Sequence, residues 1–151
     1  MKNKKMNFYL LLLSVFLLLG CEKVTSGGPF IRNLVEEAEK GSNNAPIKFS
    51  ELTDFDWDTV FVYGPYSSLE EINKKHGTDF WSILEPGYLD EGHCIYIFEK
   101  EKKTVRTFKP SRQGLDCSEI VNQGAFSKEN AIFEVRYHGD HRYLKWIDPE
   151  K

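Results

Sequence analysis

The N-terminal segment is the strongest constraint on how this chain can fold. Three lysines stand among the first five residues, and residues 8–19 are apolar except for Ser14. A basic start followed by a short apolar stretch is typical of a secretory signal peptide, and this stretch is shorter than the ~20 residues that span a bilayer as a helix. A helix of a protein core would carry a polar face, which this run lacks. We therefore predict a cleaved signal peptide over residues 1–20 and a folded domain after it.

The sequence LLGC at residues 18–21 resembles the lipobox of bacterial lipoproteins. The resemblance implies that the chain is cut before Cys21, which then carries acyl chains such as palmitate, and that residues 21–29 form a lipidated tether. Several acyl chains together hold a protein stably on a membrane. The chain would be a lipid-anchored protein of the cell envelope. Glu22 replaces the aspartate that retains such proteins in the inner membrane of enteric bacteria, so the resemblance favours the outer membrane in a Gram-negative host.

The charge balance of the rest of the chain argues against two classes of partner. After residues 1–20 are removed, 17 Lys and Arg remain against 23 Asp and Glu, a net charge of −6. A surface that contacts nucleic acid needs an excess of basic residues, and so does a polybasic membrane patch. An apolar share of 40% is enough for a hydrophobic core. We therefore expect one globular domain over residues 30–151 that has no nucleic-acid partner.

Two cysteines, Cys94 and Cys117, remain beyond the lipobox. An even number of cysteines in an exported chain favours a disulfide, and this one would close a loop of 23 residues. Two free, buried thiols are one alternative. A Cys94 nucleophile activated by His93 is another, although neighbouring residues of a strand point to opposite faces.

The apolar periodicity predicts an α+β domain with a mainly antiparallel sheet. Helical spacing predicts a helix over residues 30–40. Ser68 and Glu71 have the spacing of a capping box before a second helix at about 69–76, which Gly77 would end. Strand-forming segments between turn signals predict about four to five strands. These segments are residues 54–63 and two hairpins, 93–99 with 104–108 and 131–138 with 142–147; residues 47–50 are a further short candidate.

The segment from Ser68 to Gly77, followed by the strands at residues 96–98 and 104–105, resembles the small lipoproteins that accompany the outer-membrane barrel-assembly machinery. Their relatives include the β-lactamase-inhibitor-like folds. The resemblance implies helices packed against an antiparallel sheet, and it implies that the protein binds other proteins.

Asp54, Asp56 and Asp58 alternate with two aromatic residues, so in an extended segment the three carboxylates share one face. A calcium loop would need Gly at its sixth position and an acid at its twelfth. Counting from Asp54, those positions hold Thr59 and Pro65. The segment therefore does not match a calcium loop, and we assign no metal ligands here. A solvated strand face with aromatic side chains beneath it is the first interpretation. A loose cation site and a docking face for a basic partner are the alternatives, because like charges on one face repel each other.

Other candidate sites are weaker. His138 and His141 could ligate zinc, but the Gly-Asp pair between them predicts a hairpin turn. No nucleophile elbow, phosphate loop or dinucleotide motif is present, so we expect neither catalysis nor a cofactor. Several aromatic residues lie next to the turns that end the predicted helices and strands. Rings at such positions are often half exposed, and half-exposed rings often belong to interfaces. They are Tyr63, Tyr66, Trp81 and Tyr88.

These observations favour a lipid-anchored envelope protein that acts as a non-catalytic protein-binding or accessory module. The predicted contact surface consists of Asp54, Asp56, Asp58, Tyr63 and Tyr66. One alternative is an inhibitor or immunity protein directed at a basic envelope-acting enzyme. Another is a small envelope hydrolase or ligand binder, which would show a concave pocket with converging polar groups.

Replacing Asp54, Asp56 and Asp58 together with Asn should leave folding close to wild type and weaken binding of a basic partner, because three negative charges disappear without a change of shape. Comparison of thermal unfolding and pull-down yields of the two chains checks this. An unchanged yield would exclude the acidic face as a contact surface.

Overall fold

A computed structural model describes residues 28–40, 45–78, 87–121 and 123–149. The predictions for the signal peptide, Cys21, the tether before residue 28 and Trp81 lie outside these ranges. Within them, no helix has both the length and the apolar character needed to cross a membrane.

The described residues form four helices and seven strands. In chain order they are α1 (Pro29–Lys40), β1 (Ile47–Lys48), α2 (Phe49–Leu52), β2 (Thr59–Tyr63), α3 (Leu69–His76), β3 (Ile95–Lys100), β4 (Lys103–Phe108), α4 (Ser118–Val121), β5 (Ala125–Ser127), β6 (Ile132–His138) and β7 (His141–Trp146). The α+β prediction is confirmed, and α1 and α3 are the two predicted helices.

Both longer helices form for the reasons that the sequence indicates. The face of α1 that is turned to the core carries residues four positions apart, namely Phe30, Leu34 and Ala38. Helix α3 begins after Ser68, whose hydroxyl oxygen accepts a hydrogen bond from the backbone N–H of Glu71 at 3.3 Å. It ends at Gly77, whose φ of +62° lies in the left-handed region that favours glycine.

The strands form two antiparallel sheets rather than one. Sheet A has the order β4-β3-β2-β5, and sheet B has the order β1-β6-β7. The predicted hairpins are confirmed as β3–β4 and β6–β7. The total of seven strands corrects the predicted four to five. The short candidate at residues 47–50 is a strand only over Ile47–Lys48, because α2 begins at Phe49. Strand β5 was not predicted, since its three residues are too few for a clear alternating pattern in the sequence.

The predicted strand over residues 54–63 is shorter than expected, because β2 begins at Thr59. Residues 54–58 lead into it without forming part of a strand. Within this segment, the backbone of Asp58 forms hydrogen bonds with the neighbouring parts of the chain. Its N–H donates to the carbonyl of Glu99 at 2.7 Å, and its carbonyl accepts from the N–H of Lys128 at 2.8 Å. The acidic segment therefore lies just before β2 and is not part of the strand. This corrects its interpretation as one face of a strand.

Sheet A is packed on both faces. One face meets α1 and sheet B in the main core, and the other meets α3 in a second, smaller core. Alternate residues of β2 and β3 therefore belong to different cores. The main core receives Val60, Val62, Tyr96 and Phe98, and the second core receives Phe61, Tyr63, Ile95 and Ile97.

Cys94 and Cys117 form the predicted disulfide, with an S–S distance of 1.98 Å. Both residues are fully buried, Cys94 just before β3 and Cys117 just before α4. The bond leaves no thiol for His93 to activate, and Nδ1 of that histidine lies 2.6 Å from Oδ1 of Asp90 instead. The structure thereby decides between the disulfide and its two alternatives.

Replacing Cys94 and Cys117 together with Ala should lower the free energy of unfolding by about 3 kcal/mol, because the unfolded chain then loses the constraint of a closed loop of about 23 residues. Urea unfolding of the wild-type and double-variant chains measures the change. Wild-type protein treated with a reductant is the matched control, since it loses the bond and keeps the side chains. Equal midpoints for all three samples would contradict the prediction.

Candidate functional site

The three aspartates of residues 54–58 are exposed, while the aromatic residues between them point inward. Two of the three carboxylates are paired within the chain. Lys100 Nζ lies 3.0 Å from a carboxylate oxygen of Asp56 and 3.1 Å from one of Asp58, and Lys128 Nζ lies 3.0 Å from Asp56. Hydrogen bonds from Lys100 and Lys128 lower the pKa of Asp56 to about 2. Much of the negative charge of this segment is therefore neutralised by the protein itself.

The structure separates the five residues of the predicted contact surface into two places. Asp58 precedes the first residue of β2, and Tyr63 is its last residue. An extended strand advances about 3.3 Å per residue, so five steps place the two residues roughly 16 Å apart. The aspartates and the tyrosines thus lie at opposite ends of one strand.

A groove of about 460 Å³ opens at the tyrosine end of β2, between that end, the first turns of α3 and the loop before β3. We call it the tyrosine groove. It is lined by Tyr63, Tyr66, Ser67, Ser68, Glu71, Ile72, Lys75 and Tyr88.

Tyr66 and Tyr88 stand at the groove with most of their surface in solvent, 64% for Tyr66 and 72% for Tyr88. Among the described residues, only one other large apolar side chain is comparably exposed, Tyr137 at 51%. Contiguous exposed apolar surface in a soluble domain marks interaction sites, and tyrosine is enriched in the residues that dominate binding energy. The groove therefore has the composition of an interface.

The two loops that carry these tyrosines are joined by backbone hydrogen bonds. The N–H of Tyr66 donates to the carbonyl of Leu89 at 2.8 Å, and the N–H of Leu89 donates to the carbonyl of Ser67 at 2.9 Å. The backbone of Tyr66 has a φ of +66°, which is uncommon for a residue other than glycine. Its hydroxyl donates to the carboxylate of Glu91, which raises the pKa of Tyr66. The ring is thus held at the groove in one place.

The third tyrosine is fixed by a partly buried chain of hydrogen bonds. The hydroxyl of Tyr63 lies 2.7 Å from Nε2 of His76, and Nδ1 of His76 lies 2.6 Å from Oε1 of Glu99. Burial lowers the pKa of His76, although the hydrogen bond and the charge of Glu99 act in the opposite direction. The imidazole is therefore neutral near pH 7. Its Nδ1–H donates to the carboxylate, and its Nε2 accepts from the phenol.

A carboxylate, an imidazole and a hydroxyl in this order also occur in hydrolase triads. Here, however, the hydroxyl oxygen of Tyr63 is bonded to an imidazole whose side chain is only 1% exposed. The oxygen is therefore directed into the protein. The chain of hydrogen bonds fixes the ring of Tyr63 as a wall of the groove, and the geometry assigns it no catalytic step.

The hairpin turn at Gly139–Asp140 is confirmed, and His138 and His141 are exposed neighbours at the ends of β6 and β7. Within the described ranges, one group of at least three potential metal ligands lies close together, and it consists of Cys94, Asp116 and Cys117. The two sulfur atoms of that group are bonded to each other.

Sequence reasoning found Tyr63, Tyr66 and Tyr88, and it missed the polar side of the groove. Glu71 and Lys75 follow Ser68 at spacings that place them on one face of α3, so the capping box could have indicated them. His76 and Glu99 lie 23 positions apart, on a helix and a strand. No local pattern joins them, because their contact depends on how α3 packs against sheet A.

Comparison of the chain with protein-family models, with curated proteins and with solved structures gives no significant match. The function is therefore argued from the site itself.

The free energy of unfolding should fall as the pH is lowered from about 7 to about 5, because His76 binds a proton near pH 6.5 in the unfolded chain and only at lower pH in the folded one. The carboxyl groups of Asp56 and Asp116, whose pKa values are lowered in the folded chain, change the free energy of unfolding only below this pH range. Urea unfolding at several pH values in this window measures the slope.

The variant His76→Gln should lack this slope, because glutamine does not titrate. The matched control, His138→Gln, removes an exposed imidazole at the end of β6 and should keep it. A slope that persists in His76→Gln would show that the pH dependence has another origin.

Proposed function

We propose that this chain is a lipid-anchored cell-envelope protein whose folded domain binds another protein through the tyrosine groove, without catalysing a reaction. The observation that carries the proposal is the pair of exposed rings, Tyr66 and Tyr88, held beside a groove that also offers hydroxyl and charged side chains. Interfaces combine exposed aromatic anchors with polar groups in this way.

The position of the contact surface differs from the sequence-based prediction. Asp56 and Asp58 are paired with lysines of the same chain, so a basic partner would have to displace those lysines. The rings of Tyr66 and Tyr88 are largely exposed, so a partner could pack on them without displacing side chains of this chain. The groove is therefore the better candidate, while Tyr63 and Tyr66 keep their predicted part in it.

Two observations support the proposed location. The lipobox-like sequence that ends at Cys21 supports a lipid anchor. The disulfide between Cys94 and Cys117 supports a compartment outside the cytosol, because such bonds form and persist in oxidising surroundings. In a Gram-negative host, Glu22 favours the outer membrane.

A photo-crosslinking phenylalanine derivative placed at position 66 or 88 should capture one recurrent envelope protein in intact cells, because the ring at each position lies in the contact surface. The matched control is the same replacement at position 137, where a tyrosine of similar exposure lies on sheet B. Mass spectrometry of the crosslinked species identifies what is captured.

Equal capture at positions 66, 88 and 137, or capture at none of them, would contradict the proposed surface.

In the same cells, labelled palmitate should enter the wild-type chain and should not enter a Cys21→Ser variant. Equal labelling of both chains would contradict the anchor at Cys21 independently of the groove.

A further inference from the structure

The geometry points to an occupant for the tyrosine groove: we propose that it binds an extended, proline-rich segment of the partner that carries a basic residue. This inference rests on the proposed function and adds the chemistry of the partner to it. It is argued from the backbone around the groove, from the side chains that line it, and from its charge.

Strand addition would need a run of unpaired backbone groups, and beside the groove β2 leaves only residues 62 and 63 unpaired in the described structure, on its β5 side. β2 is paired with β3 along all five residues and with β5 over residues 59–61. Close to this strand end, α4 packs against the chain: a Cβ placed on Gly64 would stand 2.7 Å from the side chain of Val121. The loops carrying Tyr66 and Tyr88 use their backbone groups to bind each other. The partner must therefore be recognised through side chains.

An amphipathic helix would present a continuous apolar face and would need an apolar groove to receive it. Among the residues that line this groove, Ile72 is the only aliphatic one, and its side chain is buried, with 2% of its surface exposed. The remaining surface consists of tyrosine rings, two serines, a glutamate and a lysine. An apolar helix face would bury hydroxyl and charged groups without partners, which costs free energy.

A polyproline segment matches the same surface. Its pyrrolidine rings are compact and apolar, and they pack on exposed aromatic rings such as those of Tyr66 and Tyr88. Its carbonyl groups make no internal hydrogen bonds, so they need donors. Two donors are available at the groove. The hydroxyl of Tyr88 has no partner in the described part of the chain, and the hydroxyl of Ser68 accepts from Glu71 and keeps its own proton to donate.

The charge of the groove selects a basic residue in the segment. The carboxylate of Glu71 is exposed, and no cation of the described residues lies within ion-pair distance of it. The ammonium of Lys75 is turned to the protein instead, where it lies 4.7 Å from the ring centroid of Phe61 and 5.8 Å from that of Tyr63. The groove therefore presents a free negative charge and a positive charge that is already engaged.

Pre-organisation on both sides favours this mode of binding. The loops of the groove are fixed by hydrogen bonds, and Tyr63 is fixed by His76 and Glu99. A polyproline segment is likewise ordered before it binds. Little conformational entropy is then lost on association.

The test uses the full chain in detergent micelles and a fluorescent synthetic peptide of about eight prolines that ends in one arginine, a little under three turns of polyproline helix. Fluorescence anisotropy should show saturable binding of this peptide. A peptide of the same length made of glycine and serine with the same arginine should bind at least about tenfold more weakly, because it must be ordered on binding and has no rings to stack.

Variants locate the binding in the groove. Tyr88→Ala should weaken it about tenfold or more, as for a central aromatic contact, and Tyr88→Phe should weaken it less because the ring remains. Glu71→Gln should weaken the arginine peptide roughly two- to fivefold and should leave a peptide that ends in glutamine unchanged. Tyr137→Ala is the matched control and should bind like wild type. Circular dichroism of each variant checks that it is folded.

Equal binding of the proline and glycine–serine peptides, or equal loss in Tyr88→Ala and Tyr137→Ala, would overturn the inference. So would the absence of binding by the proline peptide to the folded wild-type chain. If crosslinks from positions 66 and 88 still captured one partner in that case, the proposed function would stand and only the chemistry of the partner would fail. If those crosslinks were also absent, both proposals would fail.

Discussion

The burial of β3 on both of its faces is the constraint on which the rest of the structure depends. Its residues 95–98 are almost inaccessible to solvent, so the strand needs packing partners above and below. On one face, the ring of Phe98 makes edge contacts with Phe30 at 5.0 Å and Trp57 at 5.0 Å between ring centroids. On the other face, Ile95 and Ile97 require the cover that α3 supplies. One strand therefore holds the two cores together.

The tyrosine groove follows from this arrangement. Because α3 must cover Ile95 and Ile97, its last residue, His76, lies over the same face of sheet A as Tyr63 and Glu99. The polar chain between these three residues lets the helix end meet the sheet without an unsatisfied imidazole. The first turns of α3 then stand beside the end of β2, and the space between them is the groove. Stability and the proposed binding surface thus share the same contacts.

The acidic segment shows why a charge pattern in sequence is weak evidence for a docking face. The alternation of exposed aspartates and inward aromatic residues was predicted correctly, because it depends only on which side chains avoid water. The partners of the aspartates were not predicted, since Lys100 reaches them from the last position of β3 and Lys128 from the position after β5. Both lysines are distant in sequence. The net charge of −6 for residues 21–151 already counts both lysines. It is the number of aspartates in the segment that overstates how much negative surface is free for a partner.

The sequence by itself determined the local features of this protein. The capped helix α3, the periodic face of α1 and the two hairpins follow from short-range spacing. The disulfide between Cys94 and Cys117 was favoured by the sequence, and the structure decided for it against free thiols. The division into two sheets, the short strand β5 and the contact of His76 with Glu99 depended on the tertiary structure. The physical reason is that backbone propensity and capping act within a few residues, whereas burial of a strand on two faces is satisfied by elements from anywhere in the chain. The groove belongs to the second group, because its walls come from a strand, a helix and a loop that only packing brings together.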